Sequence, residues 1–129
     1  MQKLYEQNIL DHYQNPRNYG LLPLFNFISP RYNPSCGDSV TLCGNISEHV
    51  IFQISFQGKG CVISLAMASM LTEYSKGKNI EDILQWDESI VSELLETSLG
   101  IKRMQCGLLS LQALQNGIEL YKKSILNVA

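Results

Sequence analysis

The fold class is decided by one stretch of the chain, Ser39 to Tyr74, which reads S-V-T-L-C-G-N-I-S-E-H-V-I-F-Q-I-S-F-Q-G-K-G-C-V-I-S-L-A-M-A-S-M-L-T-E-Y. Two runs in it alternate apolar and polar residues, and their apolar members are Val40, Leu42 and Ile46, then Phe52, Ile54 and Phe56. This period of two predicts two half-buried strands, and Ser47-Glu48-His49 predicts the turn of an antiparallel hairpin. From Val62 to Tyr74 the residues favour a helix, with small side chains (Ser64, Ala68) on one side and bulky ones on another.

Helical patterns continue on both sides of this stretch. A first helix is predicted over residues 2–13, and Asn15-Pro16 ends it because the residue before a proline is pushed out of the helical region. Residues 16–38 are rich in Pro, Asn, Gly and aromatics, which predicts a long and mostly extended segment. Asn79 and Asp87 are candidate N-caps of two short helices. A last helix is predicted from an apolar stripe that contains Leu108, Leu111, Leu114, Ile118 and Ile125.

Strands early in the chain and helices late predict an α+β domain, in which several helices pack on a small antiparallel sheet of about three strands. The chain has 129 residues, with no repeat and no linker long enough to divide it, so we expect a single domain over residues 1–129. Hydrophobic residues make up 45% and charged residues 17%, which is typical of a globular protein.

The charge and the location of the protein bear on how its four cysteines are interpreted. The net charge of −2 gives no reason to expect nucleic acid or a membrane as a partner. The first residues carry Glu6 and Asp11 and lack the apolar run of a signal peptide, so we expect a cytoplasmic protein. Stable disulfides are rare in that reducing compartment, and spaced cysteines are more often metal ligands or reactive thiols.

Three of the cysteines are predicted to lie where one element gives way to the next. Cys36 closes the extended segment in N-P-S-C-G-D, Cys61 precedes a helix in G-K-G-C, and Cys106 in R-M-Q-C-G is also predicted just before a helix. A helix N-terminus favours an anion and lowers the pKa of a thiol there. Positive charge beside two of the sulfurs comes from Lys59, Lys102 and Arg103.

Asp38 follows Cys36 by two residues, and in an extended chain side chains at that spacing point to the same side. Three sulfurs and one oxygen, from Cys36, Asp38, Cys61 and Cys106, would suit tetrahedral Zn(II) or a labile iron site. The carboxylate is the harder and weaker partner of the set. The alternative, that any one of these cysteines is a packed core residue, stays open, because their spacing matches no simple metal motif.

The remaining cysteine, histidines and methionines are interpreted as structural. Cys43 lies on a strand without a helix terminus or a cation nearby and is predicted to be a spectator. His12 and His49 are predicted to be packing or surface residues. Core filling is the predicted role of Met67, Met70 and Met104.

Four segments, in order along nearly the whole chain, resemble the U-type iron–sulfur cluster assembly proteins, a family that includes IscU, SufU and the N-terminal domain of NifU. The segments are I-L-D-H-Y-Q-N-P-R-N-Y-G (Ile9 to Gly20), N-P-S-C-G-D (Asn33 to Asp38), G-K-G-C-V-I-S-L-A-M-A-S-M-L (Gly58 to Leu71) and C-G-L-L-S-L-Q-A-L (Cys106 to Leu114). The resemblance implies an α+β fold. It also implies that Cys36, Asp38, Cys61 and Cys106 converge at one exposed site.

The resemblance further implies two modes of action with a cysteine desulfurase. As a scaffold, the protein would receive sulfur and build a [2Fe–2S] cluster for recipient apoproteins. As a zinc-binding acceptor, it would take the sulfur as a persulfide and relay it. Cys36 and Cys106 are both candidate persulfide acceptors, and Asp38 would tune how readily the metal leaves. Lys59 and Arg103 are predicted to lie at the desulfurase interface.

Two other classes of function are weighed against these. A zinc-stabilised interaction domain would use the same ligands without sulfur traffic. An independent thiol enzyme is disfavoured, because the sequence has no Cys-x-x-Cys pair and no recognisable triad.

Details of the motifs divide between the two branches of the family. IscU-type members carry His before the third cysteine, where this chain has Gln105, and their Leu-Pro-Pro-Val-Lys stretch corresponds here to L-G-I-K-R (Leu99 to Arg103) without prolines. Arg103 is closer to the SufU pattern. The SufU branch, however, has an insertion between its second and third cysteines for which Gly77 to Cys106 leaves no room. The choice between scaffold and zinc-dependent acceptor therefore stays open.

Overall fold

A computed structural model describes residues 2–128 of the chain. Within them the order of elements is α1 (Gln2–Gln14), β1 (Phe27–Asn33), β2 (Asp38–Ser47), β3 (Val50–Lys59), α2 (Val62–Ser75), α3 (Ile80–Leu84), α4 (Glu88–Leu95) and α5 (Ile101–Val128). The three strands form one antiparallel sheet in the order β1-β2-β3. The predicted α+β fold with about three strands is thus confirmed.

The hairpin between β2 and β3 is built as the alternating pattern predicts except at Phe52, which is 54% exposed. The register shifts between Asn45 and Ile46, so Phe52 is an extra residue of β3 and the predicted inward position is wrong there. The two-residue turn of the hairpin consists of Glu48 and His49, whose φ angles are 52° and 66°. Two successive residues with positive φ give a turn whose twist matches that of the strands it joins. Beyond the register shift, Val40, Leu42 and Phe56 all face the core.

The first strand, β1, lies inside the segment that the sequence predicts only as extended. Its inward positions are Phe27 and Ser29, which are buried, and the next residue is Pro30. One apolar residue, one serine and one proline make no visible alternation, so periodicity missed the strand. A tight turn then leads into β2, in which the Gly37 N–H donates to the Asn33 carbonyl oxygen at 2.8 Å.

The core lies between the sheet and two helices, since α2 packs on β3 and α5 packs on β1 and β2. Met67 and Met70 are buried in this core and Met104 packs against it, which confirms the predicted filling role. The stripe on α5 is buried at Leu111, Leu114 and Ile118 but ends there. Ile125 is 49% exposed, so its predicted place in the stripe is wrong. No residue of α5 between 119 and 126 is buried, because the helix there has run past the core.

The predicted starts of α3 and α4 are confirmed by their caps. The Asn79 side chain accepts from the Glu81 N–H at 2.8 Å at the start of α3. Asp87 accepts from the Ser89 N–H at 2.9 Å at the start of α4. The first helix, α1, stops at Gln14, immediately before Asn15-Pro16.

The first helix packs on α2 through a buried histidine. His12 Nδ1 lies 2.7 Å from Ser69 Oγ, and that oxygen also accepts from the Arg17 N–H at 2.9 Å. His12 is therefore the packing histidine that the sequence predicts.

Among residues 2–128, none of the helices combines the length and the apolar character needed to cross a bilayer.

Candidate functional site

Three predicted site residues come together at one end of the molecule. One possible ligand atom from each of Cys36, Asp38 and Cys106 lies within 4.8 Å of the other two. The sulfur of Cys61 is not in this group, but its backbone N–H donates to Asp38 Oδ1 at 3.2 Å. Each cysteine comes from a different element: the β1–β2 turn, the start of α2 and the second turn of α5.

Cys36 and Asp38 approach each other for a different reason from the one predicted. The chain is not extended between them, because Gly37 has a φ of 76° and the segment forms a tight turn. Cys36 is exposed on this turn, whereas Asp38 is the first residue of β2 and is only 3% exposed. A left-handed residue reverses the chain locally, so the turn and not strand alternation places the thiol beside the carboxylate.

Cys61 occupies the predicted junction, but Cys106 does not. Cys61 is the N-cap of α2, and its sulfur accepts from the Ser64 N–H at 3.5 Å. Helix α5 already begins at Ile101, with the Met104 N–H donating to the Gly100 carbonyl oxygen. Cys106 therefore lies within the helix, and its predicted position before the helix is wrong. Nothing between 101 and 106 is a helix breaker, which is why the helix starts earlier.

The electrostatic expectation for Cys106 is also wrong. Burial raises the pKa of its thiol to about 12, and the neighbouring thiols of Cys61 and Cys36 add to the rise. A second thiolate is disfavoured beside a first, and Cys106 is past the turn in which a helix N-terminus acts. A bound metal cation would instead lower the pKa of the Cys106 thiol, because a thiol that coordinates a metal is deprotonated.

Asp38 is held in place from two sides. Its Oδ1 accepts from the Cys61 N–H at 3.2 Å and its Oδ2 from the Ser64 hydroxyl at 2.5 Å. Burial acts to raise the pKa of Asp38, but hydrogen bonds from Ser64, Cys61 and Cys36 outweigh it, and the net pKa is lowered. Asp38 is therefore a carboxylate at neutral pH, with lone pairs left for a cation.

Gly60 and Ser64 support the site without being ligands. The sequence predicts that Gly60 lets other groups come close to Cys61, but it does not single out Ser64 for the site. A Cβ on Gly60 would lie 2.6 Å from Asp38 Cγ, so only glycine allows the carboxylate to pack there. Ser64 is fully buried, and the sequence pattern shows it only as a small residue of a helix. The available signal is its position three residues after Cys61, where a helical side chain returns to the cap.

A groove of about 700 Å³ adjoins two of the thiols, Cys61 and Cys106. Its walls come from α1, the start of α2 and the segment from Thr97 into α5, and they include Lys102 and Arg103. Lys59 is exposed at the end of β3, two residues before Cys61. The cysteine end of the domain is thus open and carries positive charge.

Cys43 lies elsewhere in the molecule. It is buried in the sheet, where its sulfur accepts from the Leu22 N–H and lies next to Ser55 Oγ, each at 3.3 Å. Among residues 2–128, neither Cys43 nor the two histidines belong to the group formed by Cys36, Asp38 and Cys106.

The donor set at this site fits a soft or borderline metal. Thiolates select zinc, copper(I) and iron–sulfur clusters, and a carboxylate is a harder ligand that such ions tolerate. The protein is therefore of the class in which loop and helix cysteines gather around one aspartate at the end of an α+β domain.

Comparison with known proteins identifies that class. Residues 4–127 match the family described as "NifU-like N terminal domain", and the chain belongs to this family. The fold resembles the crystal structure of a nitrogen-fixing NifU-like protein (N-terminal) from Brucella abortus, with a TM-score of 0.77 at 18% identity, covering 92% of this chain and 94% of that one.

Two curated relatives represent the two branches. The zinc-dependent sulfurtransferase SufU of Bacillus subtilis is 36% identical, with 89% of each chain covered. The iron–sulfur cluster assembly scaffold protein IscU 1 of Archaeoglobus fulgidus is also 36% identical, covering 92% of this chain and 76% of the relative. The resemblance stated from the motifs is confirmed, and so is the mixed character of the chain.

Proposed function

We propose that this protein assembles iron–sulfur clusters: it receives sulfur from a cysteine desulfurase and holds a [2Fe–2S] cluster on Cys36, Cys61, Cys106 and Asp38. The observation that carries the proposal is the approach of possible ligand atoms of Cys36, Asp38 and Cys106 to within 4.8 Å of one another. Three thiols and one weaker carboxylate ligand, which come from three parts of the chain, suit a cargo that must be both bound and released.

Sulfur would enter by exchange at a thiolate. The thiolate of this protein attacks the outer sulfur of the desulfurase persulfide, the S–S bond there breaks, and the desulfurase cysteine leaves as a thiolate. The new persulfide stays on this chain. Of the two candidate acceptors, Cys36 is exposed on a turn, while burial raises the pKa of Cys106 to about 12. These two facts favour Cys36 in the metal-free protein, since only the thiolate is nucleophilic.

Asp38 would supply the one oxygen ligand. A carboxylate binds iron and zinc more weakly beside three thiolates than a fourth thiolate would, so it is the ligand that leaves first. Two electrons from an external thiol reductant would cleave the S–S bond of each persulfide, which regenerates the cysteine thiolate and releases sulfide for the cluster. Iron and sulfide would then be passed together to recipient apoproteins. We place these steps in the cytoplasm, where thiols stay reduced.

A second candidate is a zinc-binding acceptor that relays persulfide and stimulates the desulfurase. It is supported by the relative named as a zinc-dependent sulfurtransferase and by Gln105, which offers no imidazole next to Cys106. The same ligands would hold Zn(II). A zinc-stabilised interaction domain without sulfur traffic would also use them, and the experiment below separates all three.

The decisive experiment is anaerobic incubation of the protein with cysteine, a desulfurase and ferrous iron, followed by visible absorbance and elemental analysis. Cys36→Ala, Cys61→Ala and Cys106→Ala are compared with Cys43→Ala, which removes the buried thiol outside the group. A chromophore that is lost in the first three variants and kept in the fourth supports the scaffold. Retained zinc, no chromophore and faster desulfurase turnover support the acceptor. Bound zinc without any change in desulfurase turnover contradicts both the scaffold and the acceptor.

Lys59 and Arg103 are the proposed contacts for the desulfurase. Arg103 lines the groove beside the thiols and Lys59 precedes Cys61 closely, so an acidic partner surface would meet both. Reversing both charges (Lys59→Glu, Arg103→Glu) should lower the association rate about tenfold or more at low salt. The matched control is Lys123→Glu, an exposed lysine near the far end of α5. An unchanged rate in the double variant would remove these residues from the interface.

A further inference from the structure

Ser64 is a fully buried serine that contacts three of the four site residues. Its hydroxyl donates to Asp38 Oδ2 at 2.5 Å, and its Oγ lies 3.5 Å from Cys61 Sγ. The same Oγ lies 3.3 Å from the backbone oxygen of Cys106. Helix α2 places it there, because Cys61 caps the helix and Ser64 is the third residue into it.

The hydrogen bonds of Asp38 show how the Ser64 hydroxyl fixes the orientation of the carboxylate. The Cys61 N–H holds one carboxylate oxygen and the Ser64 hydroxyl holds the other, while Gly60 packs against the carbon between them. A carboxylate held at a single oxygen can rotate about the bond to its β-carbon. The second hydrogen bond fixes that rotation, so that the free lone pairs stay on the side of the thiols of Cys36 and Cys106.

We propose that Ser64 is a positioning residue that aims the Asp38 carboxylate at the metal site and so sets how tightly a metal is held. The proposal rests on the proposed function, in which these residues bind metal. Hydrogen-bond partners that orient a metal ligand commonly contribute about ten- to a hundredfold in metal affinity. Ser64 acts through Asp38 and not on the metal, because its hydroxyl points to the carboxylate.

A purely structural role for Ser64 would have different consequences. The cap of α2 uses the Ser64 backbone N–H, which an alanine retains. Replacement by alanine therefore removes the bond to Asp38 and the longer Oγ contacts to Cys61 and Cys106, and it leaves the backbone bond to the Cys61 sulfur. The matched control is Ser69, which is also fully buried on α2 but bonds to His12 and Arg17.

The test measures the affinity of the intact protein for Zn(II) by chelator competition, and the absorption spectrum of the Co(II)-substituted form. Ser64→Ala should weaken zinc binding by about ten- to a hundredfold and change the Co(II) spectrum, whereas Ser69→Ala should leave both unchanged. In an Asp38→Ala background, Ser64→Ala should have no further effect, because its partner is gone. Ser64→Thr keeps the hydroxyl and should restore most of the affinity.

Each result decides between the proposals. Equal affinities in Ser64→Ala and Ser69→Ala, tighter binding in Ser64→Ala, or additive losses in the double variant would overturn the role of Ser64. If Ser64→Ala does not fold, as judged by far-UV circular dichroism, Ser64→Thr carries the test: a loss equal to that of Asp38→Ala would overturn the proposal. Failure of the unsubstituted protein to bind zinc through its three site thiols would instead contradict the proposed function.

Discussion

The start and the middle of α2 each carry a buried serine, and the two serines have different roles. Ser64, near the start of the helix, donates to a carboxylate at the open cysteine end of the molecule. Ser69, one and a half turns later, joins His12 of α1 to the backbone of Arg17 in a closed network. Both serines are fully buried, so burial alone does not distinguish a residue of the site from a residue of the scaffold.

The difference lies in what the hydrogen bonds leave unsatisfied. Around Ser69, the serine hydroxyl, the His12 ring and the Arg17 N–H satisfy one another inside the protein. Around Ser64, the hydrogen bonds orient an ionised carboxylate whose remaining lone pairs, beside the thiols, have no ion-pair partner among the described side chains of residues 6–126. Substitution of Ser69 should therefore change the free energy of unfolding, and substitution of Ser64 should change metal affinity.

The largest effect is expected at Gly60. In Gly60→Ala the new Cβ would lie 2.6 Å from Asp38 Cγ, so the carboxylate must move out of position. We expect a zinc affinity lower by about a hundredfold, measured by chelator competition, and a loss of about 1–3 kcal/mol in the free energy of unfolding. Gly100→Ala is the control, because nothing lies within 4 Å of a Cβ there. If both variants bind zinc alike, the packing of Asp38 on Gly60 is unimportant.

Ser69→Ala should change the stability of the protein and not its affinity for zinc. It leaves His12 and the Arg17 N–H without their shared partner, which costs about 1–3 kcal/mol in the free energy of unfolding by urea. Zinc affinity should not change. The control is Ser110→Ala, since the hydroxyl of Ser110 is buried without a hydrogen-bond partner and its loss should be close to neutral. Equal stabilities of the two variants would contradict a stabilising Ser69 network.

The smallest effect is a pH dependence that His12 confers. Burial lowers the pKa of His12 below its ordinary 6.5, the charge of Arg17 lowers it further, and Glu73 and Asp11 oppose both. Just below pH 6.5 the unfolded chain then binds more protons than the folded one, so stability falls as the pH drops through that range towards the folded pKa. Urea unfolding between pH 7.5 and 5.5 measures this, a range chosen to lie above carboxylate titration. His12→Gln should flatten the slope, and an unchanged slope in this variant would contradict the role of His12.

The sequence predicts the fold wherever periodicity or a cap is local. The hairpin turn at Glu48-His49 and the caps at Asn79 and Asp87 depend on neighbouring residues, and all were found. The strand β1 was missed because its inward residues, Phe27 and Ser29, give no apolar alternation. Edge position and pairing with β2 hold this strand, and both are tertiary properties.

The candidate site shows the same limit of prediction from sequence, namely that tertiary contacts are not visible in a local pattern. Its four residues were named from motifs, but their convergence was implied by resemblance and not by spacing. The local reasons given for Cys36 and Cys106 were wrong, since a left-handed Gly37 and an early helix start do not follow from residue type alone. Gly60 is predicted to let other groups come close to Cys61, but its contact with Asp38 is not predicted, and Ser64 is not assigned to the site at all. Both contacts with Asp38 are tertiary and lie in no sequence window.

Cys43 is buried away from the site, so the reaction of its thiol with an alkylating reagent reports the unfolding of the protein. This thiol is fully buried behind Leu22 and Ser55, while Cys36 and Cys61 are exposed and Cys106 is partly so. Alkylation followed by intact mass would then add up to three labels to the native chain, one per accessible thiol, and a fourth only when the sheet opens. The rate of that fourth label measures the opening of the core directly, without a spectroscopic probe or an engineered residue.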